Sequence, residues 1–324
     1  MAETKKVKRG FFDGVKLEIY KNWQLYLLLV IPVAYVIIFS YIPMAGLRIA
    51  FTDHRIAMGI WEAPIHPQGA FHHFRVFWNN PRFWEMLNNT IILSIYGMVV
   101  GAFMPLALAL VVNNLVSTKF KKTVQMVTYA PHFISAVVMV GILTQIFGVR
   151  TGFINNFLFN MGFDRIDFFA SPGVFRHMFV WSAVWQSNGF NAVIYIAALA
   201  GIDPQLHEAA VMDGASRLRR IWHIDLPGVI PTFVILLILS AGGILATGAA
   251  RVILFQNPLN ITTSRVIDSY LFERGLGMGI PGGGGGFPQF AYAAAVGLAQ
   301  SVVGLVMVVA VNRISKKLSG TGLW

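Results

Sequence analysis

The chain of 324 residues contains no cysteine. A disulfide framework and a thiolate metal site are therefore both excluded. Charge is scarce too: Asp, Glu, Lys and Arg make up 12% of the residues, about half of the ~25% that soluble globular domains carry. No Gly-Lys dipeptide occurs anywhere, so the chain lacks the G-x-x-x-x-G-K-[ST] loop that cradles nucleotide phosphates. Acidic and basic residues are missing altogether from six long stretches, roughly 24–47, 89–113, 124–148, 177–201, 227–250 and 288–312. Transporters driven by proton or sodium gradients commonly place ionisable groups inside the membrane. Their absence from these stretches argues against that class.

What is present is apolar: 56% of the residues are hydrophobic. Each of the six stretches is about 20 residues or longer, enough to cross a bilayer as a helix. The expectation is an all-α membrane protein with six transmembrane helices. Pro32, Pro105, Pro131 and Pro231 fall inside the stretches, which packed spans tolerate. With the N-terminus placed in the cytoplasm, all ten lysines lie inside, with five arginines; ten arginines and no lysine lie outside. That is the positive-inside bias, and it accounts for the net charge of +11 without nucleic acid. The basic N-terminus followed by an apolar run resembles a signal peptide, but the run is too long and no small-residue cleavage pattern follows it. The layout is then a cytoplasmic segment 1–23, a six-span domain 24–312 and a cytoplasmic tail 313–324. The outer connections are 48–88, 149–176 and 251–287, the last holding five consecutive glycines at 282–286, which cannot sustain a helix.

The connection 202–226 is the most informative. Asp203-Pro204 is a helix-start signal, an N-cap acid followed by proline at the first helical position. Glu208-Ala209-Ala210 follow on that helix. Three residues later Gly214 permits a sharp bend, and after nine more come Ile224-Asp225-Leu226-Pro227. A second short helix is expected near 215–223, carrying Arg217, Arg219 and Arg220. Two small alanines allow close packing in a groove, and Glu208 can bond to its rim. A pair of amphipathic helices lying on lipid phosphate is the plainer alternative.

The spacing of Glu208-Ala209-Ala210, Gly214 and Ile224, Leu226, Pro227 resembles the EAA loop by which permeases of binding-protein-dependent ABC importers dock on their ATPase. The likeness extends through Tyr41-Ile42-Pro43-Met44, Asn89-Thr90, Pro131-His132-Phe133-Ile134-Ser135, Tyr195-Ile196-Ala197-Ala198-Leu199, Val266-Ile267-Asp268 and Ala295-Val296-Gly297-Leu298. The chain resembles the MalF-type permeases of carbohydrate importers, in the branch that handles polysaccharides and complex sugars, with the alginate importers nearest. The large outer insert of the maltose permease is missing. The resemblance implies a type I importer permease fold in the bacterial inner membrane, with both termini cytoplasmic. It implies a second homologous permease, two ATPase subunits and a periplasmic solute-binding protein as partners. ATP and magnesium would belong to the ATPase, with no cofactor and no catalytic residue in this chain. The cargo would be an oligo- or polysaccharide, acidic and alginate-like.

Trp181, Trp185, Asn188 and Tyr195 fall on one face of the fourth stretch at 100° per residue, with Gln186 and Asn191 nearby. Trp185 lies about 15 Å in from the outer end, too deep for an interfacial belt. Aromatic faces pack on sugar rings and amides bond hydroxyls, so these residues, with Gln145 in the third stretch, are candidates for the substrate path. Helix packing with interhelical amide bonds explains them equally well. His132 is expected to be packed rather than a proton relay. His66, His72 and His73 lack the further ligands that a metal site needs, and none is expected. A membrane-embedded enzyme of polysaccharide handling is the competing class. It would need paired acids at the surface, and Asp203, Asp213 and Asp225 show no paired motif.

Overall fold

The computed structural model describes residues 20–277 and 287–323, except for the side chains of residues 318 and 319. The glycine run 282–286 and the first five lysines apart from Lys21 lie outside the described residues. Among them every named element is helical, and the one β-pairing is an isolated bridge between Thr52 and Ile65.

The first span begins as α1 (Trp23–Val36) and continues through a π-turn and a 3-10 run to Phe51, 29 residues in all. No residue of α1 is buried within the chain. After α2 (His72–Trp78), α3 (Phe83–Asn113) runs for 31 residues with Pro105 buried inside it. α7 (Pro172–Ala200) is 29 residues long, with proline at its favoured first position. α14 (Phe290–Ser319) runs for 30 residues. Four helical spans are long and apolar enough to cross a membrane: Trp23–Phe51, Phe83–Asn113, Arg217–Gly242 and Phe290–Lys317. A bent pair makes a fifth. α7 has the length, but its amide, tryptophan and serine residues dilute its apolar character.

Two of the expected spans are corrected by the structure. The stretch 124–148 is not one helix. α4 (Thr118–Tyr129) and a 3-10 turn to Phe133 meet α5 (Ala136–Phe147) at 105°. Pro131 lacks an N–H, and Ser135 starts a new helix by accepting the Val138 N–H on its Oγ at 3.3 Å. The stretch 227–250 also stops early: α10 (Leu226–Gly242) ends at Gly242, and residues 243–248 unwind. Beyond them, the stretch expected to be an outer loop folds as α11 (Ala249–Phe255), α12 (Ile261–Ser264) and α13 (Ile267–Leu276). Between α5 and α7 lies α6 (Phe153–Asn160).

α3 and α7 form the central pair. Toward their far end, Leu93, Phe175, Phe179 and Val184 pack against Val252, Phe255 and Val266 of the folded-back segment. Toward the end carrying residues 202–226, Leu106, Ala109, Ala192, Tyr195 and Leu199 pack against Val229 of α10. Polar side chains fasten the folded-back segment. Asn89 Nδ2 donates to the carbonyls of Thr262 (2.8 Å) and Arg265 (3.1 Å), and the Ile267 N–H donates to Thr90 Oγ1 (3.0 Å).

Each broken backbone is held by one glutamine. Gln186 on α7 donates from Nε2 to the carbonyl of Ile134, at the break between α4 and α5. Gln300 on α14 donates to the carbonyl of Leu245, within the break after α10, and to Asp268 Oδ1 at 2.7 Å. Asp268 Oδ2 in turn accepts the Gly248 N–H at 2.9 Å. In hydrocarbon a freed carbonyl or N–H finds no water, so such partners are obligatory.

Close approach sets one further requirement. α4 crosses α7 so tightly that a Cβ on Gly189 would lie 2.1 Å from the Thr128 carbonyl oxygen. Gly189→Ala is expected to destabilise the detergent-solubilised protein by about 1–3 kcal/mol. Gly97→Ala, where a Cβ meets nothing within 4 Å, should stay within about 0.5 kcal/mol. Thermal unfolding followed by fluorescence-detected size exclusion checks the pair. Equal stabilities would contradict the crossing.

Candidate functional site: the 202–226 loop and the seam beside it

α8 (Pro204–Met212) carries Glu208, Ala209 and Ala210. Its start is fixed as its sequence indicates: Asp203 Oδ1 accepts the Gln205 N–H at 2.9 Å, with Pro204 in the first position. Its end is a Schellman closure. The Ala215 N–H reaches the Ala210 carbonyl at 2.8 Å, and the Gly214 N–H reaches the Val211 carbonyl at 3.0 Å. Gly214 sits at φ +73°, with nothing within 4 Å of a would-be Cβ. The demand on this position is therefore conformational, not spatial.

The second helix departs from expectation. α9 (Arg217–Arg220), capped by Ser216, passes through a π-turn at Ile221–Asp225 straight into α10. Arg217–Gly242 is one helical span of 26 residues. Loop and span are thus mechanically continuous. Ile202 packs against Gly228 at the start of the span, where a Cβ would meet Ile202 Cδ1 at 2.5 Å. Ile202 and Leu226 both join the cluster around Tyr195 and Val229.

The π-turn directs Asp225 inward, where it is 1% exposed. Its Oδ2 accepts from Asn114 Nδ2 at 3.1 Å, and its Oδ1 stands 3.3 Å from His207 Nε2. One carboxylate thereby ties the end of α3, helix α8 and the start of the span that continues into α10. Sequence reasoning missed this role. The available signal was an acid inside an apolar stretch immediately before a span. The three aspartates of the loop form no paired site: Asp203 caps α8, Asp225 is buried and Asp213 is exposed at the C-cap of α8. Glu208 and Ala209 are exposed and Ala210 is half-buried. Around them Leu206, Val211, Met212, Leu218 and Trp222 are all more than half exposed, an apolar surface left open by the described residues.

Along the seam of α3, α7 and α10 lie two cavities. One, of about 220 Å³, is lined by Ser94, Gly97, Phe179, Ser240 and Thr247 among others. The other, of about 360 Å³, is lined by Gly101, Asn191, Tyr195 and Ser240 among others. The candidate path residues separate in the structure. Trp181 and Trp185 are 46% and 51% exposed, and Trp181 Nε1 donates to Tyr96 Oη at 2.8 Å, itself 2.9 Å from His177 Nδ1. Gln145 is exposed on α5, and Asn191 borders the second cavity. Asn188 Oδ1 is buried without a hydrogen-bond partner. Tyr195 shares the helical angle of the tryptophans but is 3% exposed in the core. Gln186, besides holding Ile134, accepts a hydrogen bond from Arg251 Nη2. His132 stacks on Phe190 with ring centroids 4.0 Å apart but is exposed, not enclosed as expected.

On the opposite side of the fold, His66 stacks on His72 at 3.8 Å and His73 lies 5.2 Å from His66. Among the described residues no group of three or more His, Asp or Glu side chains has the arrangement of a metal site. Burial, then the neighbouring His66, His73 and Arg75, hold His72 below the usual imidazole value of 6.5. The folded protein therefore binds fewer protons here than the unfolded chain. This contribution to stability is present above pH 6.5 and is lost as pH falls below it toward the folded value. Replacing His72 by Asn should flatten the loss of thermal stability between about pH 7 and 5. An unchanged slope would contradict it. At the loop, a double-mutant cycle of His207→Ala and Asp225→Asn should give a coupling of about 1 kcal/mol in thermal unfolding. Additivity would mean that the two side chains do not interact.

Comparison with known proteins agrees with this geometry. Residues 97–320 match the family described as binding-protein-dependent transport system inner membrane component. The protein LplB of Bacillus subtilis (strain 168) is 36% identical over 300 residues, covering 93% of this chain and 91% of LplB. The polygalacturonan/rhamnogalacturonan transport system permease protein YteP of the same organism is 35% identical over 308 residues, covering 95% and 92%. Among solved structures, a chain of a bacterial ABC transporter involved in the import of the acidic polysaccharide alginate superposes with a TM-score of 0.81 at 33% identity, covering 94% of this chain and 99% of that one. A chain of the bacterial alginate transporter in complex with an alginate pentasaccharide-bound periplasmic protein superposes with a TM-score of 0.80 at 34% identity, covering 94% and 98%. The chain belongs to the family of inner-membrane components of binding-protein-dependent transport systems.

Proposed function

We propose that this chain forms one half of the pore of an ABC importer for acidic oligo- or polysaccharides. The observation that carries the reading is the loop: a rigidly capped helix with an uncovered apolar surface, continuous through Asp225 and the π-turn with a span lining the seam. A body docked on that surface can turn the span directly. In this reading Glu208, Ala209, Ala210 and Gly214 seat the loop on an ATPase, and Ile224, Leu226 and Pro227 pass its movement to the pore. The likeness to permeases of polygalacturonan and alginate transport supports an acidic saccharide cargo. The alginate transporter bound to a periplasmic protein supports a solute-binding partner.

The remaining parts of the assembly follow. Six spans cross the inner membrane, α7 and the bent pair included, with both termini and the loop in the cytoplasm. A second permease completes the pore, and α1, in which no residue is buried, is free to pack on it. Two ATPase subunits supply the energy, and ATP and magnesium bind there. In the pore, exposed Trp181 and Trp185 offer aromatic faces to sugar rings, and Gln186, Asn188, Asn191 and Gln145 offer amides. Tyr195, buried, supports the wall.

Reconstituted with its partners in proteoliposomes, the importer carrying Glu208→Lys or Gly214→Leu should lose uptake by about tenfold or more, while the membrane domain of the exposed-site variant Glu208→Lys unfolds at the wild-type temperature. The glycine change acts by forcing a branched residue to φ +73°, at a cost of roughly 1–2 kcal/mol. Unchanged uptake in both variants would remove the loop from the coupling route.

A further inference from the structure

The folded-back segment after α10 brings a cation into the bundle. Arg251 lies in the first turn of α11, half-buried. Its Nη2 donates to Gln186 Oε1. Gln186 stands midway along the 29-residue α7, so the guanidinium is held near the centre of the proposed span rather than at its outer end. A cation at that depth is costly unless an anion meets it, and such groups mark substrate or ion routes. Among the described residues no carboxylate reaches salt-bridge distance of Arg251. Asp268, the acid at the adjacent break, is engaged by the Gly248 N–H and Gln300. Among the described residues the side-chain partner of Arg251 is thus a neutral amide, which orients the fork without neutralising it. Gln186 is itself fixed, through Nε2, on the Ile134 carbonyl. A guanidinium has five donors in a plane that matches a carboxylate, and Gln186 Oε1 uses one direction of the fork. Exposed Trp181 and Trp185 lie on the same helix, five residues and one residue before Gln186.

We propose that Arg251, oriented by Gln186, is a carboxylate-binding subsite of the translocation path and receives the uronate groups of an acidic saccharide during its passage. This rests on the reading of the chain as a saccharide importer permease and gives that path its preference for acidic sugars. A glutamate at 186 would close the ion pair within the chain. A glutamine leaves the charge to the cargo, so that the carboxylate is bound and released again without competing with a permanent anion.

The test uses the complete importer, with its second permease, ATPase and binding protein, in proteoliposomes. Uptake of a labelled oligouronate and the ATP hydrolysis stimulated by loaded binding protein are measured side by side. Arg251→Gln should lower oligouronate uptake by about tenfold or more, while stimulated hydrolysis stays within about twofold of wild type. Arg251→Lys, which keeps the charge but not the planar fork, should give uptake between that of Arg251→Gln and wild type. Uptake by Arg251→Gln equal to wild type overturns the subsite. Loss of uptake and hydrolysis together in both variants makes Arg251 a packing residue and overturns it too. A wild-type importer that carries neutral oligosaccharides and no oligouronate refutes the acidic-cargo reading itself, an outcome separate from either variant's behaviour.

Discussion

The constraint on which this structure rests is that a backbone broken inside hydrocarbon must have its polar groups satisfied by protein. Two spans break, one at residues 134–135 and one at 243–248. Each break is met by a glutamine on an unbroken neighbour, Gln186 on α7 for the first and Gln300 on α14 for the second. Because the breaks are held from outside, the short helices α5 and α11 can leave the direction of their spans and pack against each other, α11 also against α13 and α7. The core of the far half is built from them: Val140, Val252, Phe255 and Val266 against Leu93 and Phe179. Without the glutamines these segments would face a straight-helix alternative that satisfies its own backbone.

The same economy of polar groups organises the other end. Asp225 is buried, its Oδ2 hydrogen-bonded by Asn114 and its Oδ1 3.3 Å from His207 Nε2, which forms an ion pair when the imidazole is protonated, and a buried carboxylate needs such partners. The loop is therefore not a flap on the membrane surface. It is tied to α3 by Asp225 and to the seam by Ile202, which makes its position and that of the span Arg217–Gly242 one variable.

Much of this was legible in the sequence, for identifiable reasons. α3 and α14 are long uncharged runs, and length with composition suffices for them. The start and stop of α8 were readable because their chemistry is local: Asp203 and Pro204 at one end, Gly214 at the other. The breaks were not read, although Pro131, Ser135 and the glycines at 242, 243 and 248 were in view. A proline in a span can remain helical, as Pro105 does. What decides is whether a partner waits for the freed carbonyl, and Gln186 lies 52 residues from Ile134. The segment 251–276 looked like a loop because of Arg251, Arg265, Asp268 and Glu273. Its anchors, Asn89 and Gln300, are remote in sequence. The helical wheel placed Tyr195 with Trp181 and Trp185 correctly in angle, but an angle does not say which neighbour covers it. Near the loop, Val229 and Leu106 do.

The central claim is that this chain is half of an ATP-driven pore and works only in company. Affinity purification of the chain from its native membranes in mild detergent, with mass spectrometry and stoichiometry of what accompanies it, tests that directly. The account predicts a second permease of the same family and an ATPase, in one-to-one-to-two proportion with this chain. Recovery of the chain without an ATPase, in a detergent that keeps a control importer intact, would contradict it.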